Sequence, residues 1–320
     1  MQKNNSLSRD LVYTEQKASL DAACKVLLSS KVILAHIMKN CITEYKYCTI
    51  EEIIEKYIID EPEISGIPVN MDEHISAYSV EDVSIDEGIV TYDIRFTALI
   101  PRSDDRIKLI INIEAQNNFY PGYPLIKRGI YYCSRMISSQ YRTEFTDSHY
   151  EKLNKVYSIW ICSNPPKNRQ NSINTYHIIE EHIVGNVSEK LENYDLINAV
   201  VMCLGDKNNE GNGILNLLEV LLSSDRKAEE KKKILEEKFL IPMTTEFERG
   251  ITNMCNLSDG VEAKGIAKGI EQGIEQGLEQ GTLSSLKNLI DTTGWSVEKA
   301  LEALKVPEDD REEYIKKLGK

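Results

Sequence analysis

The sequence predicts an α/β (α+β) fold, in which a mixed sheet of about four or five strands is flanked by helices and followed by a helical C-terminal extension. Two apolar-rich runs within 97–113 lie on either side of a polar turn sequence at 101–106, which indicates a β-hairpin. The run Val156–Cys162 has strand character, and Pro165 and Pro166 end it because proline cannot continue a hydrogen-bonded ladder. Apolar residues at helical spacing precede and follow these strands.

Several segments outside the hairpin are predicted to be helical from their apolar spacing. They are 18–42, 49–59, 125–140, 214–222 and 228–239. Thr49 is the expected N-cap of the second helix, and Glu52 completes a capping box. A further strand is predicted at 200–204.

A glycine repeat near the C-terminus predicts a helix on which the glycines form one stripe and the apolar residues another. Glycine recurs every four residues from Gly265 to Gly281, and an isoleucine or leucine follows it in four successive repeats. On a helix this step advances about 40° per repeat, so the glycine and apolar stripes lie side by side. One interpretation is a helix that forms a homo-oligomer through close packing, and the other is a semi-flexible spacer.

The last segment, 283–320, is predicted to be a small helical unit. Its apolar residues share one helix face, Gly294 ends the first helix, Ser296 begins the second and Pro307 breaks it. The whole chain is therefore divided into five predicted segments. They are a polar lead-in (1–20), an α/β core (21–182), an acidic helical segment (183–258), a glycine-repeat helix or linker (259–282) and the helical tail (283–320).

Composition limits the class of protein. A hydrophobic fraction of 41 % with 28 % charged residues is ordinary for a globular chain. The sequence has no apolar run of membrane-spanning length and no apolar core of a signal peptide near Met1, so we expect a cytoplasmic protein without a membrane partner. The seven cysteines include no C-x-x-C pair and are expected to be free thiols, which makes a zinc site a poor fit.

The net charge of −13 argues against a protein that coats nucleic acid generically. The acidic residues are concentrated after the core, however. Residues 89–182 contain 12 Lys and Arg against 9 Asp and Glu, whereas residues 183–281 contain 11 against 18. The core therefore retains a mildly basic balance that is compatible with local phosphate contacts.

The hairpin carries the only arrangement of residues that predicts catalysis. If its turn is centred between Ser103 and Asp104, paired residue numbers sum to 207 and Asp93 lies opposite Glu114. Facing residues are about 5 Å apart, and two carboxylates at that distance repel each other unless a cation or proton lies between them. Gln116 points to the same side as Glu114. The pair is a candidate site for a hard divalent cation such as Mg²⁺.

The alternative is that the two carboxylates are simply solvated at strand ends. The apolar run 109–113 argues against this interpretation, because a carboxylate at the end of a buried strand is costly unless it has a partner.

The sequence around these carboxylates resembles a known family. An Asp on one strand, Glu-x-Lys or Glu-x-Gln on the next and then a helix is the PD-(D/E)XK nuclease pattern, and residues 20–281 resemble the transposases of that superfamily and their recombination-promoting (Rpn-type) relatives. The matching stretches are Tyr92–Phe96, Ile113–Gln116, Tyr120–Pro124, Arg128–Tyr132 and Val156–Cys162. The glycine repeat is also typical of such proteins.

The resemblance implies a restriction-endonuclease-like core and metal-dependent hydrolysis of DNA phosphodiesters, linked to recombination or transposition. It implies that Asp93 and Glu114 hold Mg²⁺, for which Mn²⁺ could substitute, and that Gln116 stands in the third catalytic position. The usual residue there is lysine. Glutamine can bind a water but has no charge, so Lys127 or Arg128 on the following helix is expected at the substrate phosphate.

Two other functions remain open from the sequence. The first is a catalytically inactive protein that kept the nuclease fold and assembles through its C-terminal helices. The second is a metal-dependent hydrolase of RNA or nucleotides, since two carboxylates do not distinguish ribose from deoxyribose.

Overall fold

The structure is a computed structural model that describes residues 18–59, 62–64, 81–84, 88–101, 108–205 and 213–318. The chain divides into two compact units, Met1–Ser258 and Asp259–Lys320. The predicted turn at 102–106 and most of the polar lead-in lie outside the described residues.

In chain order, three helices precede the strands, one lies between the fifth and sixth strands, and the remaining described helices follow the last strand. They are α1 (18–28), α2 (Lys31–Cys41), α3 (Ile50–Glu52, continued by a π-helical turn at Ile53–Tyr57), α4 (Leu125–Ser138), α5 (Gly213–Leu222), α6 (Ala228–Phe239), α7 (Thr245–Thr293), α8 (Val297–Ala303) and α9 (Glu308–Lys317). The strands are β1 (Glu63–Ile64), β2 (Glu81–Ser84), β3 (Gly88–Thr91), β4 (Ile94–Leu99), β5 (Lys108–Asn118), β6 (Val156–Asn164), β7 (Ser172–His177) and β8 (Ile197–Cys203).

The main sheet is mixed, as predicted. Its strand order is β1-β4-β5-β6-β8-β7, while β2 and β3 form a separate antiparallel pair. The hairpin β4–β5 is antiparallel, β5, β6 and β8 run parallel, and β7 returns antiparallel at the edge. Among the described residues the sheet has six strands rather than four or five, because two edge strands, β1 and β7, add to the four inner ones.

Two hydrophobic cores cover the two faces of the sheet. On one face, residues of β6 and β8 such as Ile159 and Val200 pack with apolar residues of α1, α2 and α5. On the other face, Trp160 packs with residues of α4 such as Tyr132 and Met136. The sheet is therefore flanked by helices on both faces.

Three local differences from the sequence prediction have clear backbone causes. The expected helix 18–42 is two helices, because Ser30 adopts an extended ψ of 127° and begins α2. The helix after Thr49 widens into a π-helical turn at Ile53. Strand β7 was not predicted because its two large apolar residues, Ile173 and Tyr176, lie on opposite sides of the strand, which removes the period-two signal.

The glycine repeat is helical throughout, as part of the 49-residue helix α7. Strand β8 lies in the predicted acidic segment 183–258 and joins the sheet between β6 and β7. Among the helices of the described ranges, none combines the length and the apolar character needed to cross a membrane.

The second unit has its own small core. Leu286 of α7 is fully buried with residues of α8 and of the turn that follows it, including Leu301 and Val306. Gly294 has a φ of +67° and ends α7, as predicted, because only glycine adopts this conformation without strain. Ser296 caps α8 by accepting a hydrogen bond from the Lys299 amide at 3.3 Å.

The capping box predicted at Thr49 is present. The Thr49 hydroxyl accepts from the Glu52 amide at 3.1 Å, and the Glu52 carboxylate accepts from the Thr49 amide at 3.0 Å. We expect Thr49→Ala to lower the free energy of unfolding by about 1 kcal/mol, because it removes the acceptor. Thr49→Ser keeps the hydroxyl and should retain most of the stability. Urea denaturation of the three proteins measures the difference, and equal losses in both variants would contradict this role of the hydroxyl.

Candidate active site

The hairpin register places Asp93 opposite Glu114. Ile94 pairs with Ile113 and Arg95 with Asn112, so paired numbers sum to 207 as predicted. The Asp93 amide donates to Glu114 Oε1 at 3.0 Å. The Ala115 amide in turn donates to Asp93 Oδ2 at 3.0 Å. Each carboxylate is thus fixed by the backbone of the opposite strand.

Both carboxylates are shielded from solvent, Glu114 more than Asp93. Glu114 is 4 % exposed, and the Asp93 side chain is 19 % exposed. Two carboxylates in this environment require positive charge nearby, because burial penalises each charge and the pair repels. Two basic side chains of the chain lie near the pair and supply positive charge.

The first cation is Lys25 of α1. Its ammonium nitrogen lies 2.8 Å from Asp93 Oδ1 and 2.7 Å from Asp21 Oδ2. Burial by itself would lower the pKa of Lys25, but the hydrogen bonds to Asp21 and Asp93 outweigh it and the pKa is raised. Lys25 therefore remains charged at neutral pH.

The second cation is Arg128 of α4, one of the two basic residues predicted at the phosphate. Its guanidinium lies about 5 Å from the ring centroids of Tyr132 and Trp160 and donates to the hydroxyls of Tyr132 and Tyr123. Burial would lower the pKa of Arg128, but the hydrogen bond to Tyr132 and the charge of Glu114 help to raise it.

Close packing of α4 on the sheet holds Arg128 in this position. Glu114, Trp160 and Val201 are paired neighbours on β5, β6 and β8, so their side chains share the face that α4 covers. A Cβ at Gly129 would lie 3.0 Å from the Trp160 indole nitrogen. Glycine at 129 is what lets the helix approach the indole ring.

The other predicted site residues are placed differently. The backbone of Gln116 pairs with Cys162 on β6, and its side chain lies outside the described part of the structure. Lys127 is exposed on α4. The structure thus brings together Asp93, Glu114 and Arg128, whereas Lys127 faces solvent.

Sequence reasoning missed Lys25. The residue lies on a separate helix far upstream of the hairpin, and no spacing rule links it to Asp93. The one local signal was Asp21 at four residues before Lys25, which is an ordinary helical ion pair.

A pocket of about 410 Å³ lies at the start of α4, where Tyr123 and Leu125 line it. Tyr123 connects the pocket to Arg128, because it lines the pocket and its hydroxyl accepts from Arg128 at 3.0 Å. Phe119, Tyr120 and Arg169 also line the pocket, with the Arg169 guanidinium 5.6 Å from the Phe119 ring centroid. Aromatic faces and a guanidinium are groups that stack against unpaired nucleobases.

Within the described ranges, no group of three or more His, Cys, Asp or Glu side chains is placed to hold a metal ion. The candidate centre therefore rests on two carboxylates. Such a set suits Mg²⁺, which proteins commonly hold through one or two carboxylates while water and substrate phosphate complete the coordination.

The family model described as PD-(D/E)XK nuclease family transposase matches residues 91–250, half of the 320-residue chain. The chain belongs to this family. The match includes the hairpin, α4 and the inner strands of the sheet, and the mixed sheet flanked by helices is compatible with a restriction-endonuclease-like fold. Searches of curated proteins and of solved structures each gave no match.

Competition between Lys25 and a metal ion for Asp93 can be measured directly. Lys25→Met should increase the thermal stabilisation by Mg²⁺ or Mn²⁺, because the ion no longer competes with the ammonium for Asp93. Without the ammonium the repulsion between Asp93 and Glu114 is also stronger, so a bound ion relieves more of it. Without metal, the variant should lose about 2 kcal/mol of stability, since it breaks a charged hydrogen bond. Differential scanning fluorimetry at rising metal concentration gives both values.

Lys152→Met is the control, because Lys152 is an exposed lysine away from the hairpin. A metal-induced shift in Lys25→Met no larger than in the wild type would show that the ion does not bind at Asp93.

Proposed function

We propose that this protein is a Mg²⁺-dependent DNA endonuclease that hydrolyses phosphodiesters during recombination or transposition. Membership of a nuclease family linked to transposition supports the reaction class. The observation that carries the proposal is the Asp93–Glu114 pair, fixed by reciprocal hydrogen bonds at the end of a buried hairpin beside Arg128.

Asp93 and Glu114 are the proposed metal ligands. Both offer carboxylate oxygens, which suit Mg²⁺ and also Mn²⁺. A bound ion supplies an activated water and stabilises the charge that develops on the phosphate in the transition state. The protein contributes ligand geometry that is set before substrate arrives, since backbone amides already fix both carboxylates.

We propose that Lys25 provides the positive charge that glutamine at position 116 lacks. Gln116 can orient a water by hydrogen bonding but cannot offset negative charge. Lys25 reaches the same carboxylate from α1, at 2.8 Å from Asp93 Oδ1. An ammonium at that place can stabilise the negative charge on the phosphate under attack and position the attacking water.

Arg128 is the proposed contact to the substrate phosphate. Its guanidinium is planar, charged and held over two aromatic rings near Glu114, which limits the conformational entropy lost on binding. Lys127 is exposed and would add only a screened, nonspecific attraction. The pocket at Phe119 and Tyr120 could accept an unpaired base next to the cleaved bond.

The proposed partners are DNA and a second copy of the chain. The homo-oligomer would form through the glycine-repeat helix, whose apolar residues are exposed.

The nuclease proposal predicts the outcome of a plasmid-nicking assay. Wild-type protein should nick supercoiled plasmid in Mg²⁺ and not in excess chelator. Asp93→Asn and Glu114→Gln should each reduce the rate by about 100-fold or more, because each removes a negative ligand oxygen. Both keep a carbonyl that accepts the backbone hydrogen bond, so the hairpin should stay folded.

Glu192→Gln is the matched control, since its carboxylate is 68 % exposed and lies on a separate turn. Equal background from all folded variants would overturn the nuclease proposal and favour the catalytically inactive assembly protein. Metal-dependent cutting of RNA but not of plasmid would favour the RNA hydrolase.

The proposal for Lys25 predicts that removing its charge raises the affinity for metal but lowers the rate of cleavage. Lys25→Met should cut more slowly than wild type at saturating Mg²⁺ although it binds the metal more tightly. Lys25→Arg keeps the charge and should restore part of the rate. The single-turnover rate is the measurement, and a Lys25→Met variant as fast as wild type would mean that Lys25 is only an ion-pair partner.

A further inference from the structure

Helix α7 carries an apolar ridge within the second unit. Ile266, Ile270, Ile274 and Leu278 are each 57–68 % exposed. A single exposed apolar residue is ordinary, but four in register at a spacing of four form one continuous ridge along the helix. The ridge belongs to the Gly-repeat segment, which we define as residues 265–281 of α7.

A groove lies beside the ridge. An added Cβ at Gly269, Gly273 or Gly277 would meet no atom within 4 Å, among the described residues and apart from the local helix backbone. Each of these glycines costs a helix about 1 kcal/mol relative to alanine. No packing among the described residues of the second unit offsets this cost, whereas a helix from another molecule could enter the groove.

The repeat places four stripes around the helix. Successive residues are about 100° apart, so the repeat Gly-Ile-Glu-Gln sets the glycine and apolar stripes side by side. The glutamate stripe lies on the far side of the apolar stripe. The glutamine stripe lies on the far side of the glycine stripe and begins with Lys264 and Lys268.

These stripes distinguish the two orientations of a symmetric helix pair. A parallel pair sets the apolar stripe of each copy against the glycine stripe of the other, and each glutamate stripe beside a glutamine and lysine stripe. An antiparallel pair centred on Gly273 sets the glutamate positions 271 and 275 of the two helices beside each other on one edge. Like charges side by side are destabilising, whereas glutamate with glutamine or lysine can hydrogen-bond.

We propose that the Gly-repeat segment binds the same segment of a second copy in parallel, with isoleucines of each helix in the glycine groove of the other. This inference rests on the proposed homo-oligomer and is independent of nuclease activity. Ridges of spacing four on both helices predict a crossing angle of about −50°, so the contact centres on Gly273 and fades at both ends. Glu279 is consistent with an end position, since it already pairs with Lys317 of its own chain.

The assembly is tested on the full chain by sedimentation equilibrium. Wild type should be dimeric, and Gly273→Leu and Ile270→Gln should each raise the dissociation constant at least tenfold. A Cβ at 273 meets no atom within 4 Å among the described residues, and leucine is a better helix former than glycine, so circular dichroism should show no loss of helix. Lys287→Leu is the control, because it adds an equal apolar side chain on exposed α7 surface outside the segment.

Orientation is tested by cross-linking Gly269→Cys and Gly277→Cys, separately, with a short bis-maleimide. In a parallel pair each position lies beside its own counterpart, so both variants should form covalent dimers. No single antiparallel register brings both positions to their counterparts. Wild type gives the background, since Cys24 and Cys41 are half-buried and the other five cysteines buried.

Three results would overturn the proposal. They are a monomeric wild type, a dimer unaffected by Gly273→Leu and Ile270→Gln, and cross-linking at only one of the two positions. A dimeric protein that does not nick plasmid would contradict the proposed nuclease function but would not contradict this interface.

Discussion

The reciprocal hydrogen bonds between Asp93 and the Glu114–Ala115 stretch are the interaction on which the site depends. Each carboxylate accepts an amide of the opposite strand, so side chains and register hold each other in place. A shift by one residue would remove both bonds and turn the carboxylates to the other face of the sheet. Only this one register of β4 and β5 gives the buried Glu114 carboxylate its backbone hydrogen bond.

The same two carboxylates also explain why two distant helices converge on the hairpin. Lys25 comes from α1 on one side, and Arg128 comes from α4, which packs closely on the opposite face through Gly129. Neither contact follows from the apolar pattern of its own helix. The negative charge at the strand ends provides an electrostatic reason for basic residues at these two places, beyond the burial of apolar surface.

Local patterns in the sequence predicted much of the fold. The hairpin register, the capping box at Thr49 and the end of α7 at Gly294 each depend on residues close together in the chain, and all are confirmed. The break at Ser30, the edge strand β7 and the position of Lys25 depend on tertiary contacts or carry no periodic signal. The family resemblance is confirmed, whereas the catalytic roles of Asp93, Glu114 and Gln116 stay predictions.

The structural role of Asp93 and Glu114 has a consequence for how related proteins can evolve. Because these side chains accept hydrogen bonds that hold the hairpin as well as forming the candidate centre, a lineage that no longer needs cleavage would still be selected to keep an acceptor oxygen at each position. An acceptor side chain at each of the two positions in a relative is therefore weak evidence that the relative cuts DNA, and the carboxylate charge is the feature that folding alone does not require.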